Sequence, residues 1–512
     1  MQSNLFVYRE SGFSKGYNDK YPPEYLPPGY MALIQNGISS QEKIEKRTGY
    51  SLVGDDTGNK RILGLCGITT TAGVKRLYKF HDNAAGTGIR ILEWTGSGNW
   101  AELNSGTLLT NTDNEVNCVV AENVVYAFDG SSTPVVITPG SPSTVAAAAD
   151  VNFPKGKFGI WYHNFHFVAG VSGASKNTLY WSDLEDSDDF TNGVRGSLTV
   201  NPNDGDEITG FITFRDKLLI FKRNRIWSLS GFGTSTFTVA NITEELTGVG
   251  TISYRSLLNK GDDIYFLSHI GGTPEIRSLK VTALGVITDG GIISEAVTGT
   301  MEALAEGQLD LCVGFYDGRR VYYALPASGQ TRNNIVLVKD LQTNGWVKWT
   351  GVNVSVFAEM DFSSESVIYF GESQADAKVY KLDSSTNDNG AAIDFVVESR
   401  RYGGERPEVK KKWKYLYGEY EDSGDHDLTI TSSHEGFTYD SLDTVNLKAS
   451  EGIFPLTFPF TFGTTDIIRK RSHFGKKTSY YMQLKFANAN ADEEVVIRQY
   501  EVLAKRRGLR DA

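Results

Sequence analysis

Apolar and polar positions alternate with a period of two along most of the chain, and short turn-forming clusters interrupt the alternation. That period puts one set of side chains on each face of an extended strand, so each run bounded by Gly, Asn, Asp or Pro predicts a β-strand. Paired runs recur as hairpins. The first joins Arg76 to Phe80 with Ile89 to Trp94 through the polar stretch 81–86, and the second joins Val124 to Phe128 with Val135 to Ile137 through Asp129-Gly130. Others pair Phe165 to Ala169 with Thr178 to Trp181, Leu218 to Phe221 with Ile226 to Leu229, and Ile264 to Ser268 with Glu275 to Leu279. Arg320 to Leu325 with Ile335 to Lys339, and Val367 to Phe370 with Val379 to Leu382, complete the series.

Successive hairpins start 41 to 56 residues apart, close to the roughly 40 to 50 residues of one propeller blade. A parallel α/β sheet needs an amphipathic segment between strands, and these intervals hold none. The pattern predicts an all-β fold, a β-propeller of six or seven blades, with two stacked β-sandwiches as its competitor. Radial closure gives a long all-β chain a way to hide its strand edges.

Both flanks depart from the repeat. Residues 1–60 carry Tyr21-Pro22-Pro23-Glu24-Tyr25-Leu26-Pro27-Pro28-Gly29, which favours an extended path. An arm laid across a neighbouring subunit and a tether packed on its own domain both fit. The polar stretch Asp383 to Gly390 reads as a linker. Beyond it, runs at Ile393 to Val397, Trp413 to Tyr420, Asp427 to Ser432, Tyr480 to Phe486 and Glu494 to Leu503 predict a small β-domain. The expected organisation is an arm and docking segment over 1–60, a propeller over 61–385 and a C-terminal β-domain over 391–512.

Composition narrows the class. The 512 residues include 53 glycines, only 14 prolines and 12% aromatics, a mixture that suits turns and strands and excludes coiled coil and collagen. No window approaches 18 consecutive apolar residues, and Met1-Gln2-Ser3-Asn4 lacks the basic and apolar regions of a secretory signal, so neither stable membrane insertion nor secretion is expected. Cys66, Cys118 and Cys312 are odd in number and far apart, which offers neither a disulfide framework nor a paired metal knuckle. Net charge is −11, which argues against a protein that grips nucleic acid through phosphate neutralisation and leaves room for one that lets DNA slide past. The excess is local. Residues 391–512 hold 19 basic and 19 acidic side chains, so the first 390 carry all of it.

Candidate chemistry is sparse. His163 and His166 lie at odd spacing within the apparent strand Trp161 to Val168, which sends them to opposite faces. His426, between Asp425 and Asp427, reads as a solvated turn. No zincin, nucleophile-elbow, Walker A or dinucleotide motif is present. The acidic loops Asp183 to Asp189 and 201–207 gather oxygens that would suit calcium, a paired-acid glycosidase or, more simply, turn capping. Thr95 to Trp100 and Thr343 to Trp346 resemble sialidase aspartate boxes without the aspartate, and read as turns with a packed tryptophan. No catalytic residue, metal ligand or cofactor is nominated. Basic runs at Lys410-Lys411-Lys412, with Trp413 and Lys414 after them, at Arg469-Lys470-Arg471, and at Lys505 to Arg510 make a candidate docking patch for an acidic partner, and the last of them could reach a phosphate backbone.

The middle of the chain carries a family resemblance. Leu179-Tyr180-Trp181-Ser182-Asp183, an acidic turn ending at Phe190, Asp204 to Gly210, Leu218 to Lys222, Ile226 to Gly231 and Ile264 to Ser268 follow one another in an order and spacing that resembles the propeller of tail nozzle proteins of short-tailed bacteriophages, also called packaged-DNA stabilisation or tail tubular proteins. Gln35-Asn36-Gly37 and Lys46-Arg47-Thr48-Gly49 resemble that family's N-terminal region. The resemblance is tightest over residues 150–280 and looser elsewhere, and its motifs are blade signatures; the chain lacks room for the insertions of longer relatives. It implies a structural virion protein, not an enzyme, assembled in the host cytoplasm as a homo-oligomeric ring, a hexamer, under the portal and adaptor among other tail proteins. Such a ring would extend the DNA channel, retain the packaged genome and gate its ejection, with viral DNA passing through the lumen without sequence-specific binding. A propeller that binds or hydrolyses glycans is the alternative.

Overall fold

The computed structural model describes residues 5–55, 60–83, 85–202, 204–232, 236–282, 285–363, 365–374, 377–403, 408–435, 438–448 and 467–507. Of the features singled out above, residues 1–4, Ala84 in the turn 81–86, Asn203 and the end of the last basic run, 508–510, lie outside them.

Every hairpin of the repeat forms, and each supplies the second and third strands of a four-stranded unit. Blade 1 is Ile62–Thr69, Lys75–Asp82, Ile89–Trp94 and Ala101–Asn104, antiparallel throughout. Blades 2 to 5 repeat this order, beginning at Asn117, Phe158, Ile208 and Leu258. Blade 6 consists of Val313–Tyr316, Arg320–Leu325, Ile335–Asp340 and Trp346–Thr350. Blade 7 takes Val354–Met360, Val367–Glu372 and Val379–Ser385 from late in the chain and its outermost strand, Gly49–Leu52, from the N-terminal region. Six blades are self-contained four-stranded sheets, whereas blade 6 leads into a longer one. First strands of successive blades pack side by side around the axis, and that of blade 7 meets that of blade 1.

Blade faces bury one another. Trp94 and Leu77 of blade 1 pack with Tyr369 and Met360 of blade 7, Tyr78 and Phe80 of blade 1 with Val125 and Val135 of blade 2, and Phe221 of blade 4 with Phe266 of blade 5. Burial from both sides explains why first strands such as Ile62–Thr69 are almost wholly apolar. The circle is held by the strand exchange in blade 7, where Leu52, Ser51 and Tyr50 face Tyr380, Lys381 and Leu382.

The C-terminal strands form a sandwich. Beyond Trp346–Thr350 the blade 6 sheet continues through Leu33–Gln35, Phe395–Glu398, Met482–Asn488, Asp427–His434 and Tyr439–Asn446. A second sheet runs Gly37–Ser39, Ile44–Lys46, Val496–Arg506, Lys411–Glu421 and Ile467–His473, with Leu5–Glu10 added to Val496–Arg506 and Thr478–Ser479 to Lys411–Glu421. Between the sheets, Phe486 meets Tyr500 with ring centroids 5.1 Å apart, and the Tyr402 and Tyr500 hydroxyls bond at 2.9 Å. One continuous apolar core joins this sandwich to blades 5, 6 and 7.

Residues 5–55 are therefore woven into their own chain, with strands in both sandwich sheets and in blade 7. The proline-rich stretch makes a single 3-10 turn at Pro23–Tyr25, leaving Tyr25 exposed. One hairpin is shorter than its apolar pattern suggested. Trp161 to Val168 is not one strand: it turns at His163 and Asn164, both at positive φ, so His163 stacks on Phe232 and His166 enters the blade.

Candidate functional site

Propellers place ligands in the funnel around their axis, so the hub comes first. Here the segment Tyr254–Ser256, which leads into blade 5, fills it. Arg255 crosses the axis. Its guanidinium donates to the carbonyls of Leu63 in blade 1 at 2.8 Å, Val116 beside blade 2 at 2.6 Å and Ser355 in blade 7 at 3.2 Å, to Asn117 Oδ1 at 2.9 Å, and to Glu115 Oε2 at 2.7 Å. Tyr254 stacks on Phe158 of blade 3 at 4.8 Å and packs near Phe211 of blade 4, and Tyr323 of blade 6 bonds the Ser256 carbonyl. One turn of chain thus touches the whole ring.

The funnel above this plug holds about 340 Å³. Its wall carries Lys157, Lys176 and Arg223 together with Asp113, Glu115, Glu207 and Asp310. Glu115 is held by both Arg61 and Arg255, and Arg223 pairs with Glu207. A paired-acid mechanism needs two carboxylates free to exchange protons, and Glu115 is tied.

The acidic loops work on their own backbone. Asp183 accepts N–H bonds from Leu184 and Val194, Asp189 from Thr191 and Asn192, and Asp206 from Glu207, Arg223 and Asn224. Asp204 is bound by the buried Lys222 ammonium at 2.8 Å. Among the described residues no cluster of three or more His, Cys, Asp or Glu side chains has metal-holding geometry. His166 is fully buried among Tyr126, Phe128 and Phe153, and its Nδ1–H donates to the Ser187 carbonyl at 3.0 Å. Burial pushes it down to about 4 from 6.5. Trp100 and Trp346 are packed, each donating its indole N–H to a carbonyl, that of Val53 and of Ile293.

The six candidate docking residues, three of them on the neighbouring strand Ile467–His473, fall at opposite ends of the strand Lys411–Glu421. Lys410 and Lys412 lie at its start. Lys411, between them, points inward, is completely buried, and donates to the Gly403 and Val409 carbonyls, so it is not part of any surface patch. Arg469, Lys470 and Arg471 pair with Glu419, Gly418 and Tyr417 at the strand's far end. Five to nine residues separate the two groups along a strand that rises about 3.4 Å per residue. Arg469 is held by Glu419 and Arg471 lies over the Tyr415 ring. What gathers around Lys412 instead is Lys414, the turn Lys476-Lys477, and Lys505, Arg506 and Arg507, lining an open groove of about 780 Å³.

Likeness to known proteins ends at the fold. No protein-family model matches the chain, and no curated protein matches it. Among solved structures it is similar to an exo-beta-1,3-galactanase from Phanerochaete chrysosporium with galactose, at TM-score 0.27 and 9% identity over 90% of this chain and 100% of that one. It is also similar to YCF48 bound to D1 peptide, at 0.38 and 10% over 70% and 99%, and to the Pan2 WD40 domain of Neurospora crassa, at 0.39 and 9% over 67% and 96%.

Two features of the site escape the sequence reading. Arg255 sits in an ordinary-looking stretch, Ser253 to Leu257, and only ring closure brings its partners from residues 63, 115–117 and 355 together. Lys476 and Lys477, which form no run of note in the sequence, join Lys412 and Lys505 across strands up to 93 positions apart, where only the runs at Lys410 and Lys505 stand out on their own.

Proposed function

We propose that the chain is a structural virion protein, the nozzle of a short bacteriophage tail, working as a homo-oligomeric ring, a hexamer, that continues the DNA channel below the portal and adaptor. The observation that carries this reading is the plugged hub. Arg255, tied to blades 1, 2 and 7, closes the base of the funnel and braces the ring, and Glu115 in the funnel wall is held by two arginines, which favours a structural body whose outer surfaces meet other chains. Support also comes from the shared core and the nine-stranded sheet, which weld propeller and sandwich into a unit able to bear load. The blade signatures from Leu179 to Ser268 agree in kind. Carboxylates that would serve a hydrolase, Asp183 and Asp206, cap backbone N–H groups.

Native mass spectrometry of the purified full chain at micromolar concentration is the test. A closed ring near six copies is expected, and a stable monomer would overturn the proposal. Glycan turnover abolished by Asp183→Asn or Asp206→Asn would put the hydrolase in its place.

A further inference from the structure

The groove around Lys412 has a chemistry of its own. Lys412 stands directly opposite Lys505 on one neighbouring strand and opposite Thr478 on the other. Two positions further along, the Arg507 N–H bonds the Lys410 carbonyl, so a second cationic pair follows the first. The register shift after Trp413 adds Lys414, and the turn adds Lys476 and Lys477. Like charges facing each other across a sheet destabilise it. Lys477 is bound by Asp440. Among the described residues, Lys412, Lys414, Lys476, Lys505, Arg506 and Arg507 have no carboxylate within ion-pair distance. Neither packing nor internal pairing accounts for so many cations about 4.8 Å apart across strands and about 6.8 Å apart along them.

We propose that this groove holds the phosphate backbone of duplex DNA. A dense, uncompensated row of cations is what a polyanion stabilises by releasing counterions. An acidic protein would need apolar anchors at the centre of its contact, and the described residues lining the groove, all Lys, Arg or Thr, supply none, with Trp413 fully buried and Lys410 over the Tyr480 ring at 5.0 Å. The same lack of a bare ring leaves no platform for unpaired bases. The proposal rests on the groove alone and holds whether or not the chain forms a nozzle ring.

Fluorescence anisotropy with a labelled duplex of about 20 base pairs and arbitrary sequence, titrated with the full chain across a salt series, tests it. With four to five phosphates engaged, log K should fall against log salt with a slope of about −4. The double variant Lys412→Gln/Lys505→Gln should bind roughly tenfold more weakly at low salt and lose about 2 from that slope. Arg469→Gln/Lys470→Gln should leave the slope where it was. Because the double variant removes a like-charge pair, it should melt no lower than the parent, which separates lost contacts from lost folding. Absent salt-dependent binding, or an unchanged slope in the double variant, overturns the proposal. So does tighter binding of a single strand of equal length, or displacement of the duplex by polyglutamate of equal charge at lower concentration.

Discussion

Two residues show how much of this molecule depends on single side chains. Arg255 carries five hydrogen-bond acceptors that no other cation in the hub can reach together. Replacing it with leucine leaves the Leu63, Val116 and Ser355 carbonyls without their donor and Glu115 with Arg61 alone, and should cost about 3 to 5 kcal/mol in urea denaturation. A loss under about 1 kcal/mol would mean that the plug is ornamental to stability. His166 sets an acid limit. Its folded pKa of about 4 lies below the ordinary 6.5, so the unfolded chain takes up a proton first as pH falls. The unfolded state therefore binds more protons between these values, and stability declines as pH drops from 6.5 toward 4, by about 1.4 kcal/mol per pH unit. Denaturation curves across that window should flatten in His166→Asn relative to the parent. At this scale the sequence was least informative, because Arg255 and His166 derive their roles from partners far along the chain or from a turn at His163-Asn164 that lacks the usual glycine.

At the scale of elements the hairpins were readable, since second and third strands are joined locally and second strands such as Phe165–Ala169, Lys217–Lys222 and Arg320–Leu325 are buried almost throughout. First strands give a less uniform signal, from the buried Ile62–Thr69 to the half-buried Val313–Tyr316 and the two-residue Leu258–Asn259, and fourth strands such as Thr144–Ala147 are short and exposed. The last blade could not be completed from local pattern at all, because its outer strand comes from residues 49–52. The motif residues near that strand acquire a physical meaning here. The buried Arg47 guanidinium grips Asp388 at 2.7 and 2.6 Å and donates to Asn36 Oδ1 and the Thr350 carbonyl, pinning the N-terminal segment, blade 6 and the stretch read as a linker at one point. Gly49 is required because a Cβ there would strike the Asn387 backbone. Asp388→Asn should destabilise by about 3 to 5 kcal/mol, since it strands a buried guanidinium. Hydrogen exchange should then speed up in Val379–Ser385, the strand that Gly49–Leu52 covers. Unchanged exchange there would mean that the ion pair does not anchor the closing strand.

For the whole molecule, the shared core predicts one cooperative unit. Sequence alone favoured a separate C-terminal domain, because a polar stretch usually marks an independent fold. The nine-stranded sheet runs straight across that boundary. Calorimetry of the full chain should therefore show a single transition whose van't Hoff and calorimetric enthalpies agree, and two resolved peaks would mean that the halves melt independently. Charge is divided where structure is not: the acidic excess lies in the first 390 residues, while the basic groove lies in the sandwich. A ring built from such bodies presents two electrostatic faces, and which one lines its opening follows from subunit orientation.

The filled hub fixes one property of any such assembly. Each molecule is a wheel whose axle hole is stopped by its own chain, so nothing polymeric threads through a single copy. Whatever is conveyed must travel between copies, and the width of that passage becomes a matter of stoichiometry: adding or removing one subunit changes the calibre, while no rearrangement inside a blade can.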